Sequence, residues 1–440
     1  MRGVKIFRQL SISTNVADHS ALFYMPIMGA TAASNRRSFR HEERRTALLA
    51  AAAQAINSLG AGAINLNEIA ARIGLSRNAL YYYVADRTEL VFECYRQTCE
   101  AALADLAEAE AASEDAGERL RRFIDIGLAH DRPVRAVLSD HDMLPDPQRR
   151  TILDLRARQI DRLATIIRAG IAEQRFRPCD AELVAQALAG MLSWTQLSAA
   201  WLAHRDAPAN RRRAAEAMHA LLLQGLAAPG SCLPAFPTLW PRAFNAFDRQ
   251  AASDAKAEQL IAAASRLFNQ RGIAGVSLDE IGATVGASKG AVYHYFPDKA
   301  ALVESCLERA FGLYDTYMGM AMGHNGNGLA KAMMVHHLNS QAQAGPIAPM
   351  LLHPGYDSLS VGARERFFAR AQQLWRGSAA FIEAGIADGS CRPCDAMATA
   401  EIAAGAFFWL PKWRPIGDTA AGLAIANELA DIVAFGIAVR

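Results

Sequence analysis

Apolar residues recur at helical spacing along nearly the whole chain, in segments rich in Ala, Leu, Arg and Glu, and no stretch sustains the apolar–polar alternation of a half-buried strand. The pattern predicts an all-α fold. Its clearest local case is a pair of short helices joined by a tight turn. Ser277-Leu278-Asp279-Glu280 has the form of a capping box, in which the serine caps a helix and the glutamate reaches back to the cap's backbone. Ile281 and Val285 give that helix an apolar face, Gly286 permits the left-handed conformation that ends it, and Ser288 caps a further helix immediately afterwards. At about 100° per residue, Ala291, Val292, Tyr295 and Phe296 fall on one side of this second helix, and Lys289, Gly290, Tyr293 and His294 on the other.

The same design stands earlier in the chain. Asn65, Glu68, Ile69, Ile73, Gly74 and Ser76 build the first helix and turn; Ala79, Leu80, Tyr83 and Val84 then face inward, and Arg77, Asn78, Tyr81 and Tyr82 outward. Gly60, Leu66, Glu68, Ile69, Gly74, Ser76, Tyr81, Tyr83, Asp86 and Leu90 recur without a gap at an offset of 212. A second echo pairs Ala169-Gly170-Ile171-Ala172 and Arg177-Pro178-Cys179-Asp180 with the segments that begin at Ala384 and Arg392, at an offset of 215. The whole unit is therefore duplicated, with a period far beyond the roughly 20 to 50 residues of a solenoid repeat. Pro229, Pro234, Pro237 and Pro241 with Gly230 mark a linker at 229–253. Phe236, Trp240, Phe244 and Phe247 suggest that it packs on one of the units.

The outward faces suit a DNA major groove. Arg pairs with guanine, Asn with adenine, a Tyr hydroxyl reaches phosphate, and Gly lets the backbone approach closely. An ordinary amphipathic helix with solvated polar residues is the plainer reading of one copy; the same turn chemistry in both favours double-stranded operator DNA as the partner.

Over 44–95 and 256–307 the residues resemble the tetracycline-repressor (TetR) family of bacterial one-component regulators, in Leu-Asp-Glu-Ile, Val-Gly-Ala-Ser-Lys-Gly and Tyr293-His294-Tyr295-Phe296 followed by Asp298-Lys299. The resemblance implies two tandem units, each a three-helix helix-turn-helix DNA-binding domain (36–90 and 254–302) followed by a helical ligand-binding and dimerisation domain (91–228 and 303–440). It implies a DNA-facing set of Ser76 and Ser288, Arg77 and Lys289, Tyr81 and Tyr293, Tyr83 and Tyr295, and Arg87 and Lys299. Arg87 and Lys299 would touch phosphate beside the positive N-terminal end of a fourth helix capped by Asp86 or Asp298. Asn78, Tyr82, Gly290 and His294 join the set from the outward faces, and Asn65 and Ser277 from the start of the preceding helix. Copy one departs from the family pattern at Asn78, where Gly is common, and at Val84, where an aromatic is expected. Arg36, Arg37 and Arg40 form a basic arm suited to the adjacent minor groove.

The regions after the motifs have diverged much further. His141, Met143, Met191 and Trp194 in copy one, and Met333, Met334, His337, Trp375, Phe381 and Trp409 in copy two, are candidates to line a pocket for a small, largely apolar effector, with ordinary core packing as the alternative.

Composition changes the picture only at the edges. A net charge of +2 over 440 residues leaves any DNA contact to local basic patches. The seven cysteines form no regular framework, which points to reduced thiols and a cytoplasmic protein. Cys391 and Cys394 have C-x-x-C spacing, but copy one carries Phe176 and Cys179 there, so a thiol-based redox sensor is kept only as an alternative. No phosphate loop, nucleophile elbow or metal-ligand cluster stands out, and neither an enzyme nor a cofactor is expected. Arg2, Lys5 and Arg8 before the apolar Ala21–Ala33 stretch have the outline of a signal peptide, against which Asp18, His19 and Pro26 speak. Residues 1–35 are expected to be a disordered or mis-called extension, with Met25 or Met28 as the real start. No run reaches the roughly 18 to 20 apolar residues of a membrane span. The expectation is a repressor released by its effector and acting as a single-chain pseudo-dimer, with a homodimer, or an activator on the same fold, as the alternatives.

Overall fold

The computed structural model describes residues 28–201, 208–241, 249–351, 356 and 359–439. Copy one comprises α1 (Met28–Leu59), α2 (Leu66–Arg72), α3 (Arg77–Leu80), α4 (Arg87–Ala112), α5 (Ala116–Leu128), α6 (Asp146–Ala172), α7 (Ala181–Trp201) and α8 (Pro208–His219). Copy two comprises α9 (Arg249–Arg271), α10 (Leu278–Thr284), α11 (Lys289–Tyr295), α12 (Lys299–Met322), α13 (Gly328–Ala344), α14 (Val361–Ala387), α15 (Ala396–Phe408), α16 (Leu410–Trp413) and α17 (Thr419–Phe435). Among the described residues the β pairing is confined to two isolated bridges, Phe176 with Ala438 and Ala227 with Cys391. The fold is all-α.

Two boundaries differ from the sequence expectation. Helix α1 takes in residues 28–35, expected to be disordered, where Ala30, Ala32 and Ala33 supply high helix propensity. Helix α9 begins at Arg249, five residues inside the expected linker, across Ala251 and Ala252. By contacts the chain divides into Met1–Thr46 and Ala47–Arg440, and from residue 47 onward both copies lie in the second unit.

Each head closes on its own core. Leu48, Leu49 and Ile56 of α1 meet Ile69 of α2, Leu80, Val84, and Leu90 and Tyr95 of α4. Leu260 and Phe268 of α9 meet Ile281, Val292, Phe296 and Leu302. Beyond the heads, one continuous core runs through both larger domains and includes Leu188, Leu221, Ile402 and Val433.

The copies join through equivalent residues. The offset of 215 maps Gly190 onto Gly405 and Trp194 onto Trp409. A Cβ on Gly190 would lie 2.2 Å from Cδ1 of Trp409, and one on Gly405 would lie 3.0 Å from Cβ of Trp194. Helices α7 and α15 thus cross at small residues that each admit the other copy's tryptophan, the self-complementary arrangement of a two-fold interface within one chain. The tails are exchanged as well. Gly225 (φ 71°) and Gly436 (φ 70°) turn the chain after α8 and α17 in a conformation that favours glycine. Arg392 N then donates to Leu226 O and Ala228 N to Ser390 O, while Arg177 N donates to Ile437 O and Val439 N to Arg175 O. The Arg-Pro-Cys-Asp segment, visible in the sequence only as an echo, is where each copy receives the other's tail. Between 229 and 241 the connecting chain lies on α13, with Phe236 4.9 Å from the His337 ring and Leu239 N donating to Gln341 Oε1 at 3.0 Å.

Candidate nucleic-acid interface and effector pocket

Local chemistry sets the two reading helices. Ser277 Oγ accepts from Glu280 N, and the Glu280 carboxylate accepts from Ser277 N at 2.8 Å, closing the capping box at the start of α10. Those bonds, with Arg271, hold the Glu280 carboxyl down to about 2. In copy one Asn65 does the same work more simply, accepting from Asn67 N at 2.9 Å and donating to Glu68 at 3.1 Å. Asn65 and Ser277, grouped above with the DNA-facing residues, therefore spend their side chains on capping. Gly74 (φ 67°) and Gly286 (φ 68°) make the turns, and Ser76 and Ser288 cap α3 and α11 by accepting from Ala79 N and Ala291 N.

The faces sort by exposure. Leu80 and Val84, and Val292 and Phe296, are buried; Arg77, Asn78, Tyr81 and Tyr82, and Lys289, Gly290, Tyr293 and His294, are exposed. Tyr83 and Tyr295 are half-buried against the heads, and Tyr295 Oη lies 3.4 Å from Ser253 Oγ. Asp86 and Asp298 cap α4 and α12, each accepting a backbone N–H at 2.8 Å. Beside those ends, Arg87 donates to Gly62 O at 2.6 Å, and Lys299 is half-buried with its pKa lowered by desolvation. The loops after α1 and α9 meet where a Cβ on Gly62 would stand 2.3 Å from that of Ala274, its equivalent at offset 212. Arg36, Arg37 and Arg40 fall within α1, with side chains outside the described residues.

The heads are not copies of each other in detail. Helix α11 has seven residues, whereas α3 has four and passes into a turn at Tyr81–Tyr83, where Tyr82 N donates to Ala79 O and Tyr83 N to Leu80 O. The expected helical continuation is thus tightened into i+3 bonding at Tyr82 and Tyr83, before Val84 N returns to Leu80 O at 3.2 Å. Lys289 reaches Asp279 at 3.0 Å, an exposed pair worth little on its own. Asn67 stands at the matching place in copy one, where that pair is missing; the ring contact is shared, Arg77 lying over Tyr81 and Lys289 over Tyr293.

Behind the second head, α12, α13, α14 and α15 surround a cavity walled mostly by apolar side chains. Of the residues proposed from sequence, Trp194, Met333 and Trp375 line it, and Trp194 comes from copy one. The others lie elsewhere. Met334 and Phe381 pack with Tyr317 and Leu338 in a separate cluster. His337 bonds Asn427 at 2.8 Å beneath the linker. Met191 fills the joint against Gly405, His141 stacks on Trp413 at 4.7 Å, and Met143 packs on the first head. Trp409 lines a different cavity, in copy one. The histidine that does line the copy-two cavity is His336, edge-on to Phe407 at 5.3 Å, with Asn339 one turn further along α13. Burial pushes the His336 pKa down to about 3. The unfolded chain takes up a proton near 6.5 and the folded one does not, so stability present above that value is lost as the pH falls from 6.5 towards 3. Acidification from pH 7 to 5 should cost about 2 kcal/mol through this side chain. In urea titrations at the two pH values, His336→Leu should lose correspondingly less than the parent, and an equal loss would place the acid sensitivity elsewhere.

Cys391 packs with its Sγ against Gly385, and burial raises its pKa to about 12; Cys394 is raised for the same reason, so neither thiol is poised as a nucleophile. Among the described residues no group of three or more His, Cys, Asp and Glu side chains could hold a metal ion, and no helix is long and apolar enough to cross a membrane.

Residues 48–94 and 260–306 both match the family described as bacterial regulatory proteins, tetR family, and residues 113–226 match a tetracyclin repressor-like C-terminal domain. The HTH-type transcriptional activator FasR of Mycolicibacterium smegmatis is 29% identical over 123 residues, 27% of this chain and 56% of that protein. The HTH-type transcriptional regulator TtgR of Pseudomonas putida is 39% identical over 57 residues, 13% of this chain and 27% of its own. The chain therefore spans little more than half of the first relative and under a third of the second. The solved structure of the ketosteroid transcriptional regulator KstR2 of Mycobacterium tuberculosis is 18% identical with a TM-score of 0.36, over 42% of this chain and 96% of that one. Both matches to the N-terminal family region fall on the heads that the capping residues and turn glycines build, so the chain belongs to the tetR family of bacterial regulatory proteins and carries two of its units in tandem.

Proposed function

We infer that the protein is a DNA-binding transcriptional repressor whose two heads read the two halves of one operator, and whose grip is released by a small, largely apolar effector in the copy-two cavity. The observation that carries the reading is the sorting of α3 and α11 into a buried apolar face and an exposed face of groove-reading residue types. Single substitutions Arg77→Ala and Lys289→Ala should each weaken operator binding by about 1 to 3 kcal/mol at fixed salt. Gel-shift titration with DNA from upstream of the gene measures this, and an unchanged dissociation constant would take that head out of the groove.

The single-chain arrangement is supported by the equivalent glycines and tryptophans at the joint and by the exchanged tails. Because Arg77, Asn78 and Tyr82 face outward where copy two has Lys289, Gly290 and His294, the heads should prefer different half-sites. The expected site is imperfectly palindromic and holds one chain. Footprinting with light scattering of the complex checks it, and two chains on a clean palindrome would sink it. The cavity wall of Trp194, Met333, Trp375 and Phe408 supports an apolar effector; release of the operator by a highly charged metabolite at micromolar concentration would remove that part of the reading. One relative is named an activator, so run-off transcription with and without the protein decides the sign of regulation.

A further inference from the structure

Copy one has a cavity of its own, with chemistry unlike that of copy two. It lies among α4, α5, α6 and α7, and Phe408, Trp409 and Trp413 of copy two close it. Arg156 and Gln159 of α6 line it. The offset of 215 places Ala371 and Leu374 of α14 at the matching positions, and both line the cavity of copy two. One scaffold thus presents a cation and an amide in one copy and plain hydrocarbon in the other.

Arg156 is 8% exposed, and no carboxylate among the described residues lies within ion-pair distance of it; its guanidinium lies 4.5 Å from the Trp413 ring centroid. The two other cations of the wall are already engaged. Arg135 pairs with Asp105 at 2.5 Å, and Lys412 donates to the carbonyls of Ser139 and Gln270. Burial lowers the Arg156 pKa to about 10, which leaves it charged at neutral pH. A buried charge without a counter-ion is costly and calls for a partner. Arg156 and Trp413 also line an adjoining groove with the exposed Leu153, Ala157 and Asp161, so the pair stands between the cavity and solvent.

We propose that the copy-one cavity binds an organic carboxylate, its anionic end held by the Arg156 guanidinium and its apolar body lying against Phe123, Phe408 and Trp409. A carboxylate matches the planar fork of arginine with two parallel hydrogen bonds and supplies the missing countercharge. The proposal rests on the regulatory reading only for what binding does to the operator; binding itself stands apart from it.

Isothermal titration calorimetry of the full chain without DNA tests it, with 2-naphthoate against its neutral counterpart 2-naphthamide. The acid should bind at least about tenfold more tightly than the amide. Arg156→Gln should erase that preference while melting no lower than the parent, since it removes an unpaired buried charge, and Arg156→Lys should retain part of it. Equal binding of acid and amide, an undiminished preference in Arg156→Gln, or no binding of either 2-naphthoate or decanoate up to about 1 mM overturns the proposal. Operator release by apolar compounds reports on the other cavity, so an Arg156-dependent naphthoate site sustains the proposal even where no apolar compound releases DNA.

Discussion

Lys412→Met is expected to lose about 3 to 5 kcal/mol of folding stability, because three backbone carbonyls lose the charged amine that donates to them. Lys412 sits on α16 with its amine buried, donating to Gln270 O at 2.9 Å, to Asn269 O at 3.4 Å and to Ser139 O. Burial draws its pKa down to about 8 against the opposing pull of Asp140 and Asp142. Asp140 is itself buried; its Oδ2 accepts from Ala61 N at 2.7 Å, and a Cβ on Gly272 would lie 1.8 Å from its Oδ1. Lys412 and Asp140, each through its own bonds, therefore grip the chain around the ends of α1 and α9, the helices that open the two heads. Without Lys412 the carboxyl of Asp140 stays in the interior, its pKa already raised by desolvation and now without the cation that lowers it. Urea unfolding measures the loss, and Asp140→Asn combined with Lys412→Met should recover part of it. If the single variant unfolds at the parent's midpoint, the clamp holds nothing.

A single methyl group at the joint between the copies should cost nearly as much. Gly405→Ala places its Cβ 2.6 Å from the Cα of Met191, a backbone atom that no rotamer change can move away. Forcing α7 and α15 apart should destabilise the protein by about 3 kcal/mol, at the upper end of ordinary overpacking. Operator affinity should fall with it, since the spacing of the heads depends on that crossing. Gly290→Ala is the control. Nothing stands within 4 Å of its added Cβ, so the thermal midpoint should hold to within about 0.5 kcal/mol equivalent while DNA binding weakens. If Gly405→Ala is as harmless as Gly290→Ala in thermal unfolding, the two helices do not pack as tightly as the structure has them.

The heads were legible in the sequence because what makes them is local. Ser277 with Glu280, Gly286 and Ser288 act on neighbours within a few residues, and a step of about 100° sorts Val292 from Lys289 without reference to the rest of the chain. The cavity was not legible, and α13 shows why. Apart from the half-buried Lys331 and Ala332, every residue of Gly328–Ala344 is buried, His336 and His337 both included. A helix buried all round has no amphipathic stripe from which to read a face. His337 was chosen where its neighbour His336 lines the space. Arg156 did leave a signal, a charged residue among Ile152, Leu155, Ile160 and Leu163 on the buried face of α6, opposite Ala371 in the other copy.

By itself the sequence determined an all-α chain, its tandem duplication, and two heads with different outward faces, because helix periodicity, caps and turn glycines act over a handful of residues. Only the tertiary structure decided that the repeated Arg-Pro-Cys-Asp segments take up each other's tails, that Gly190 and Gly405 admit Trp409 and Trp194, and that Lys412 reaches Ser139 and Gln270. Those contacts join residues more than a hundred positions apart. Their geometry depends on how helices with several apolar faces choose partners, a choice that packing volume and buried charge make together.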